Sequence, residues 1–81
     1  MAWTVYILSC SDKSLYTGIT VDVERRLNEH NNSNKGARYT RARRPVKLIY
    51  QESCVNRSEA SQRELQIKKL TRSQKLAMIN S

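Results

Sequence analysis

The sequence predicts an α+β fold in which a small three-stranded antiparallel sheet is flanked by helices, in the order β-β-α-β-α-α. Three observations lead there. Two short apolar segments with strand periodicity, residues 3–9 and 15–20, face each other across a polar turn. A third alternating segment, Val46-Lys47-Leu48-Ile49-Tyr50-Gln51-Glu52, follows Pro45. Between and after these lie three stretches with helical spacing and capping residues, which suits helices packed on the faces of a sheet.

The first strand sets Trp3, Val5 and Ile7 against Thr4, Tyr6 and Leu8. Ser11-Asp12-Lys13-Ser14 reads as a turn because short oxygen-bearing side chains bond the local backbone, and Leu15 to Thr20 returns as an antiparallel partner. The register of this hairpin decides whether Tyr6 and Tyr16 share a face, since a slip of one residue exchanges the faces. Sequence leaves that register open.

Thr20 or Asp22 can cap a helix reaching about His30, and Asn31 to Gly36 ends it. At a hundred degrees per residue, Val23, Arg26, Leu27 and His30 share one face. Arg26 thus borders the apolar stripe, an unusual place for a cation, which must snorkel or pair there. In the third strand, alternation sets Val46, Leu48 and Tyr50 opposite Lys47, Ile49 and Gln51. Asn56-x-x-Glu59 starts the next helix, whose Ala60, Glu64 and Ile67 form one row beside Leu70. Thr71-x-x-Gln74 is a capping box for a short last helix carrying Leu76, Ala77, Met78 and Ile79. The polar stretch from Asn31 to about Arg44 is expected as a linker.

Eighty-one residues make a single domain, 1–81, and a chain of this size buries only about 60% of its unfolded surface, so any site lies close to solvent. The formal net charge of +8 points to a polyanionic partner, because Lys and Arg release counterions condensed on nucleic acid. Lys35, Arg38, Arg41, Arg43, Arg44 and Lys47 fall in thirteen residues without an acid, with Tyr39 among them. They are the candidate nucleic-acid-binding surface, the ordinary alternative being a solvated charged loop.

No apolar run is longer than that of Val5 to Leu8, so neither a signal peptide nor a membrane span is expected. Cys10 and Cys54 lack metal-site spacing; they are expected as reduced thiols of a cytoplasmic protein, with a single disulfide as the other option. One histidine and two separated glycines leave no His-rich metal cage, phosphate-cradling loop or supported Ser-His-Asp set.

The ordered set Val5-Tyr6-Ile7, Tyr16-Thr17-Gly18, Arg26 ten residues after Tyr16, His30 one turn later, and Glu64 within Arg57 to Lys68 resembles the GIY-YIG nucleases, and within them the small stand-alone bacterial members. Val5 replaces the glycine of the first motif and Thr17 the isoleucine of the second; neither change removes a functional side chain. Ile19 stands where some members carry a lysine that assists the site. The resemblance implies a metal-dependent endonuclease that hydrolyses phosphodiester bonds of DNA, in repair, recombination or processing. It implies Tyr6, Tyr16, Arg26 and His30 as catalytic residues and Glu64 as ligand of Mg²⁺ or Mn²⁺.

The chemistry permits those roles. A single carboxylate can hold a hard cation with waters and a substrate phosphate completing the shell. Arg26 offers a planar fork to nonbridging oxygens, and Tyr6 can orient water or accept its proton if nearby cations offset a phenol pKa of about 10. Taken singly, each residue also has an ordinary reading. Tyr6 and Tyr16 suit a half-buried sheet, His30 a helix end, and Glu64 an ion pair with Lys68 one turn on. The competing function is a non-catalytic or weakly catalytic nucleic-acid-binding module. A targeting protein partner is a further expectation, since members of the family commonly rely on attached domains or partners.

Overall fold

The computed structural model describes residues 2–80 and contains β1 (Trp3–Ser9), β2 (Leu15–Thr20), α1 (Val23–Asn32), α2 (Arg38–Arg41), β3 (Lys47–Cys54), α3 (Arg57–Lys68) and α4 (Arg72–Ile79). The expected three-stranded antiparallel sheet is present in the order β2-β1-β3. The polar stretch expected as a linker contains α2, a single turn whose Thr40 is wholly buried. No apolar periodicity marks it, because one inward residue per turn leaves no stripe to detect.

β1 is the central strand, and Val5, Tyr6, Ile7 and Leu8 are all buried because both faces of the sheet are covered. On one face Val5 and Ile7 pack with Cys54 and with Ala60 and Ile67 of α3, joined by Met78 and Ile79 of α4. On the other, Tyr6, Leu8, Cys10 and Val46 pack with Tyr16, Leu48 and Leu27 of α1. Alternation along β1 therefore sorts its side chains between two small cores.

β3 departs from simple alternation. Ile7 pairs with Tyr50 but Leu8 pairs with Leu48, so Ile49 is an extra residue at a bulge. Ile49 and Tyr50 consequently both join the α3/α4 core while Leu48 and Val46 join the other. The expectation that Tyr50 shares a face with Leu48 is corrected by this bulge.

The helix ends follow their local chemistry. Asp22, rather than Thr20, caps α1 by accepting from the Arg25 amide at 3.1 Å. Asn56 caps α3 through the Glu59 amide, while the Glu59 carboxylate reaches back to the Val55 amide at 3.2 Å. The Thr71–Gln74 capping box of α4 is formed in both directions. The Asn31 side chain grips both backbone groups of Val46, accepting from its amide at 2.8 Å and donating to its carbonyl at 3.0 Å, which ties α1 to the start of β3.

Cys10 and Cys54 are free and buried. Cys54 pairs with Trp3 at one end of β1 and Cys10 follows Ser9 at the other. That is roughly 23 Å at about 3.3 Å per residue, too far for the disulfide considered above. Among the described residues, no helix is long and apolar enough to cross a membrane.

Candidate active site

The hairpin register settles the facing of the two tyrosines. Tyr6 pairs with Gly18 and Leu8 with Tyr16, so Tyr6 and Tyr16 project from the same face of the sheet, toward α1. Their rings lie 6.5 Å apart between centroids. The absence of a side chain at Gly18 leaves room for the Tyr6 ring beside β2.

α1 supplies the next two groups. His30 is completely buried, and its Nε2 lies 2.9 Å from the Tyr6 hydroxyl while its Nδ1 lies 2.8 Å from Thr40 Oγ1. Tyr16 meets the imidazole edge-on at 5.2 Å. Burial, followed by the Arg26 charge, pushes the His30 pKa down to about 4, so the imidazole is neutral at pH 7. Its reading as a helix-end cation is thereby removed.

Arg26 donates from Nη1 to the Glu29 carboxylate at 3.1 Å and to the Lys35 carbonyl at 2.9 Å. The same guanidinium acts on the Tyr6 hydroxyl. The phenol pKa is nonetheless pushed up to about 12, first by burial and then by Tyr16, with Arg26 opposing and Glu64 adding to the rise. Glu64 belongs to α3, which covers the other face of the sheet, and its effect on Tyr6 is the smallest of these. Glu64 is partly buried and pairs with Lys68 at 3.3 Å, so the ordinary ion pair foreseen for it is formed as well. Ile19, on the other side of the sheet, packs against the α3/α4 core.

No group of three or more His, Cys, Asp or Glu side chains that could hold a metal occurs among the described residues. A cation at Glu64 would rest on one carboxylate, with the remaining positions filled by water and phosphate oxygens. This donor set suits Mg²⁺ or Mn²⁺, which bind through few carboxylates and keep much of their water.

The six cations singled out in the sequence divide into two groups. Lys35, Arg38, Arg41 and Lys47 are exposed, and among the described residues their side chains make no hydrogen bond or ion pair. Arg43 lies over the Tyr39 ring at 3.9 Å, pairs with Asp12 at 3.0 Å and donates to the Tyr39 carbonyl. Arg44 is turned inward, donating to the carbonyls of His30 at 2.6 Å, Glu29 at 3.3 Å and Ser33, and so closes the C-terminus of α1. Tyr39 in turn stacks on Tyr16 at 6.0 Å, which connects the charged surface to the tyrosines.

Thr40 was not singled out in the sequence, where nothing distinguishes it from the polar residues around it. Only the three-dimensional proximity of α2 and α1 brings it to His30.

Residues 2–77 match the GIY-YIG catalytic domain. The chain belongs to the GIY-YIG family. It is 56% identical to a UPF0213 protein of Desulfotalea psychrophila over 80 residues, 99% of this chain and 73% of that protein. It is 58% identical to a UPF0213 protein of Clostridium perfringens over 77 residues, 95% of this chain and 82% of that one. The solution structure of a UPF0213 protein from Bacillus halodurans superposes with a TM-score of 0.63 at 42% identity, covering 99% of this chain and 84% of the other. A protein from E. faecalis gives a TM-score of 0.64 at 44% identity, covering 96% and 83%. Membership of this family agrees with the tyrosine, histidine and arginine side chains that the fold gathers on one face of the sheet.

Proposed function

We propose that this GIY-YIG domain is a divalent-metal-dependent endonuclease that hydrolyses phosphodiester bonds of DNA, acting in repair, recombination or processing in a reducing cytoplasm. One observation carries the reading: Tyr6, Tyr16, Arg26 and His30 adjoin one another, with Glu64 in electrostatic reach of Tyr6. Each of these has an ordinary use alone, but a fold has no structural need to set the first four beside one another with a carboxylate acting on Tyr6.

Arg26 neutralises the nonbridging oxygens as charge develops, and Tyr16 hydrogen-bonds the phosphate. Tyr6 orients the attacking water and takes its proton as phenolate. With its pKa at about 12 that form is scarce in the resting protein, and the charge of Arg26 acts to increase it. His30, neutral and fully enclosed, holds the Tyr6 oxygen in place. Glu64 is the residue to hold Mg²⁺ or Mn²⁺, which when bound supplies Lewis-acid stabilisation of the phosphate. Lys35, Arg38, Arg41 and Lys47 contact backbone phosphates, and a protein partner directs the domain to its target.

A binding module with a weak or silent site is the second reading, favoured by the Glu64–Lys68 ion pair, which competes with a cation for the carboxylate. Cleavage of labelled linear, branched and single-stranded DNAs and RNAs with Mg²⁺ or Mn²⁺, by the wild type and by Glu64→Ala, separates the two. Cutting by the wild type alone supports the nuclease. Salt-sensitive binding without cutting by either protein selects the module, and equal cutting by both removes Glu64 from the metal role.

A further inference from the structure

The one-turn helix α2 holds the site from two directions: Tyr39 stacks on Tyr16, and the next residue, Thr40, meets the inner nitrogen of His30. His30 and Thr40 are both fully buried, so no solvent exchanges for these contacts. A neutral imidazole carries one N–H, and the nitrogen that bears it decides whether Tyr6 donates to His30 or accepts from it.

Three hydrogens compete around Nδ1, and only one is fixed by the backbone. The Ala37 amide points at Nδ1 across 3.4 Å and has no other acceptor among the described residues. The Ala37 carbonyl already accepts from the amides of Thr40 and Arg41, each at 3.1 Å. The Thr40 hydroxyl donates to that carbonyl at 2.9 Å and lies 2.8 Å from Nδ1, and as a rotor its single hydrogen can serve either acceptor. Turning its hydrogen to Nδ1 leaves the carbonyl satisfied, whereas an N–H on Nδ1 would oppose the Ala37 amide hydrogen.

We propose that Thr40, with the Ala37 amide, fixes His30 in the tautomer that bears its hydrogen on Nε2, so that His30 donates to the Tyr6 oxygen and Thr40 is a positioning residue of the site. The Tyr6 oxygen then receives one hydrogen bond from His30 and stabilisation from Arg26, while its own hydrogen stays free to meet a water or a phosphate. Both donors favour the phenolate. Burial first, then the Arg26 charge, keeps His30 from taking a second proton; Glu29 opposes them and Arg44 adds a smaller effect in the same direction as Arg26.

Gly36 makes this contact possible. A Cβ there would lie 2.6 Å from the Glu29 carbonyl oxygen and 2.7 Å from His30 Cα, so any side chain would push the chain away from α1 and carry the Ala37 amide out of reach.

The kinetic consequence rests on the nuclease reading, but the tautomer does not, so the two are tested apart. Two-bond ¹H–¹⁵N correlations of His30, recorded on the free protein at pH 7, should show a bare Nδ1 and a protonated Nε2 in the wild type and in Thr40→Ser. Thr40→Val should shift the pattern toward the other tautomer. With substrate, Thr40→Val should lower kcat by at least about 10-fold with KM within about 2-fold, and Thr40→Ser should restore it. A wild-type spectrum with hydrogen on Nδ1 overturns the proposal even if Thr40→Val fails to fold, as does a folded Thr40→Val with an unchanged spectrum. The expected tautomer with no cleavage by any of the proteins supports the assignment of Thr40 and sinks the nuclease reading alone.

Discussion

The Tyr6 hydroxyl occupies the space that a side chain at residue 18 would fill: a Cβ built on Gly18 would lie 2.5 Å from Tyr6 Oη and 2.7 Å from Cζ. Gly18 is thus required by a close approach and not by its own backbone angle, since no glycine here has positive φ. Gly18→Ala should displace the phenol from His30. A misplacement of about 1 Å at a reacting group can cost on the order of 10²-fold, and a loss of that size in kcat is expected with the fold retained. Steady-state cleavage and a thermal melt check it; full activity would show that the hydroxyl position does not matter.

The depressed pKa of His30 couples stability to pH. The unfolded chain protonates this imidazole below about 6.5, whereas the folded chain refuses the proton until about 4. In that window the unfolded state binds more protons, so stability falls as pH drops from 6.5 toward 4. Melting temperatures measured across this range should decline in the wild type and decline less in His30→Gln, which removes the titrating group while the carboxylates remain. Parallel profiles would mean that His30 titrates alike in both states.

The elements that carry the candidate site were legible in the sequence because they depend on short-range signals, while the resemblance to the GIY-YIG nucleases singled out the residues on them. Strand alternation located Tyr6 and Tyr16, and helical spacing set Arg26 and His30 on one face and Glu64 on the core-facing row. The facing of the two tyrosines was not, since it hangs on a hairpin register that only the completed pairing of Tyr6 with Gly18 reveals. The same holds for the bulge at Ile49, which no residue type advertises. α2 leaves no signal in the sequence because one turn buries one residue, and Thr40 acquires a role only through contact with a residue ten positions earlier.

The cation-rich stretch reads as uniform in sequence but is divided in space, and the division is measurable. Arg38→Gln with Arg41→Gln should flatten the dependence of log K on log salt by about 0.9 for each phosphate that is no longer neutralised on duplex DNA, with stability unchanged. Arg44→Gln should do the reverse. Its guanidinium satisfies carbonyls at the end of α1, where hydrogen bonds from a charged group are worth about 1.5–3 kcal/mol, so urea unfolding should show a destabilisation of that order. A large change in salt slope for Arg44→Gln would return it to the DNA-binding surface.

Thr17 stands in the second tyrosine motif, yet it pairs with Ile7 and so faces the α3/α4 core, away from Tyr6. It is 3% exposed, and its Oγ1 is buried without a hydrogen-bond partner among the described residues. An unsatisfied buried hydroxyl costs about 1–3 kcal/mol, and valine keeps nearly the same shape without it. Thr17→Val should therefore raise the urea midpoint, with an unchanged m-value and a gain of about 1 kcal/mol, and leave cleavage as it was. Destabilisation would mean instead that the hydroxyl is satisfied in solution by an enclosed water, which valine would expel without replacing its bonds.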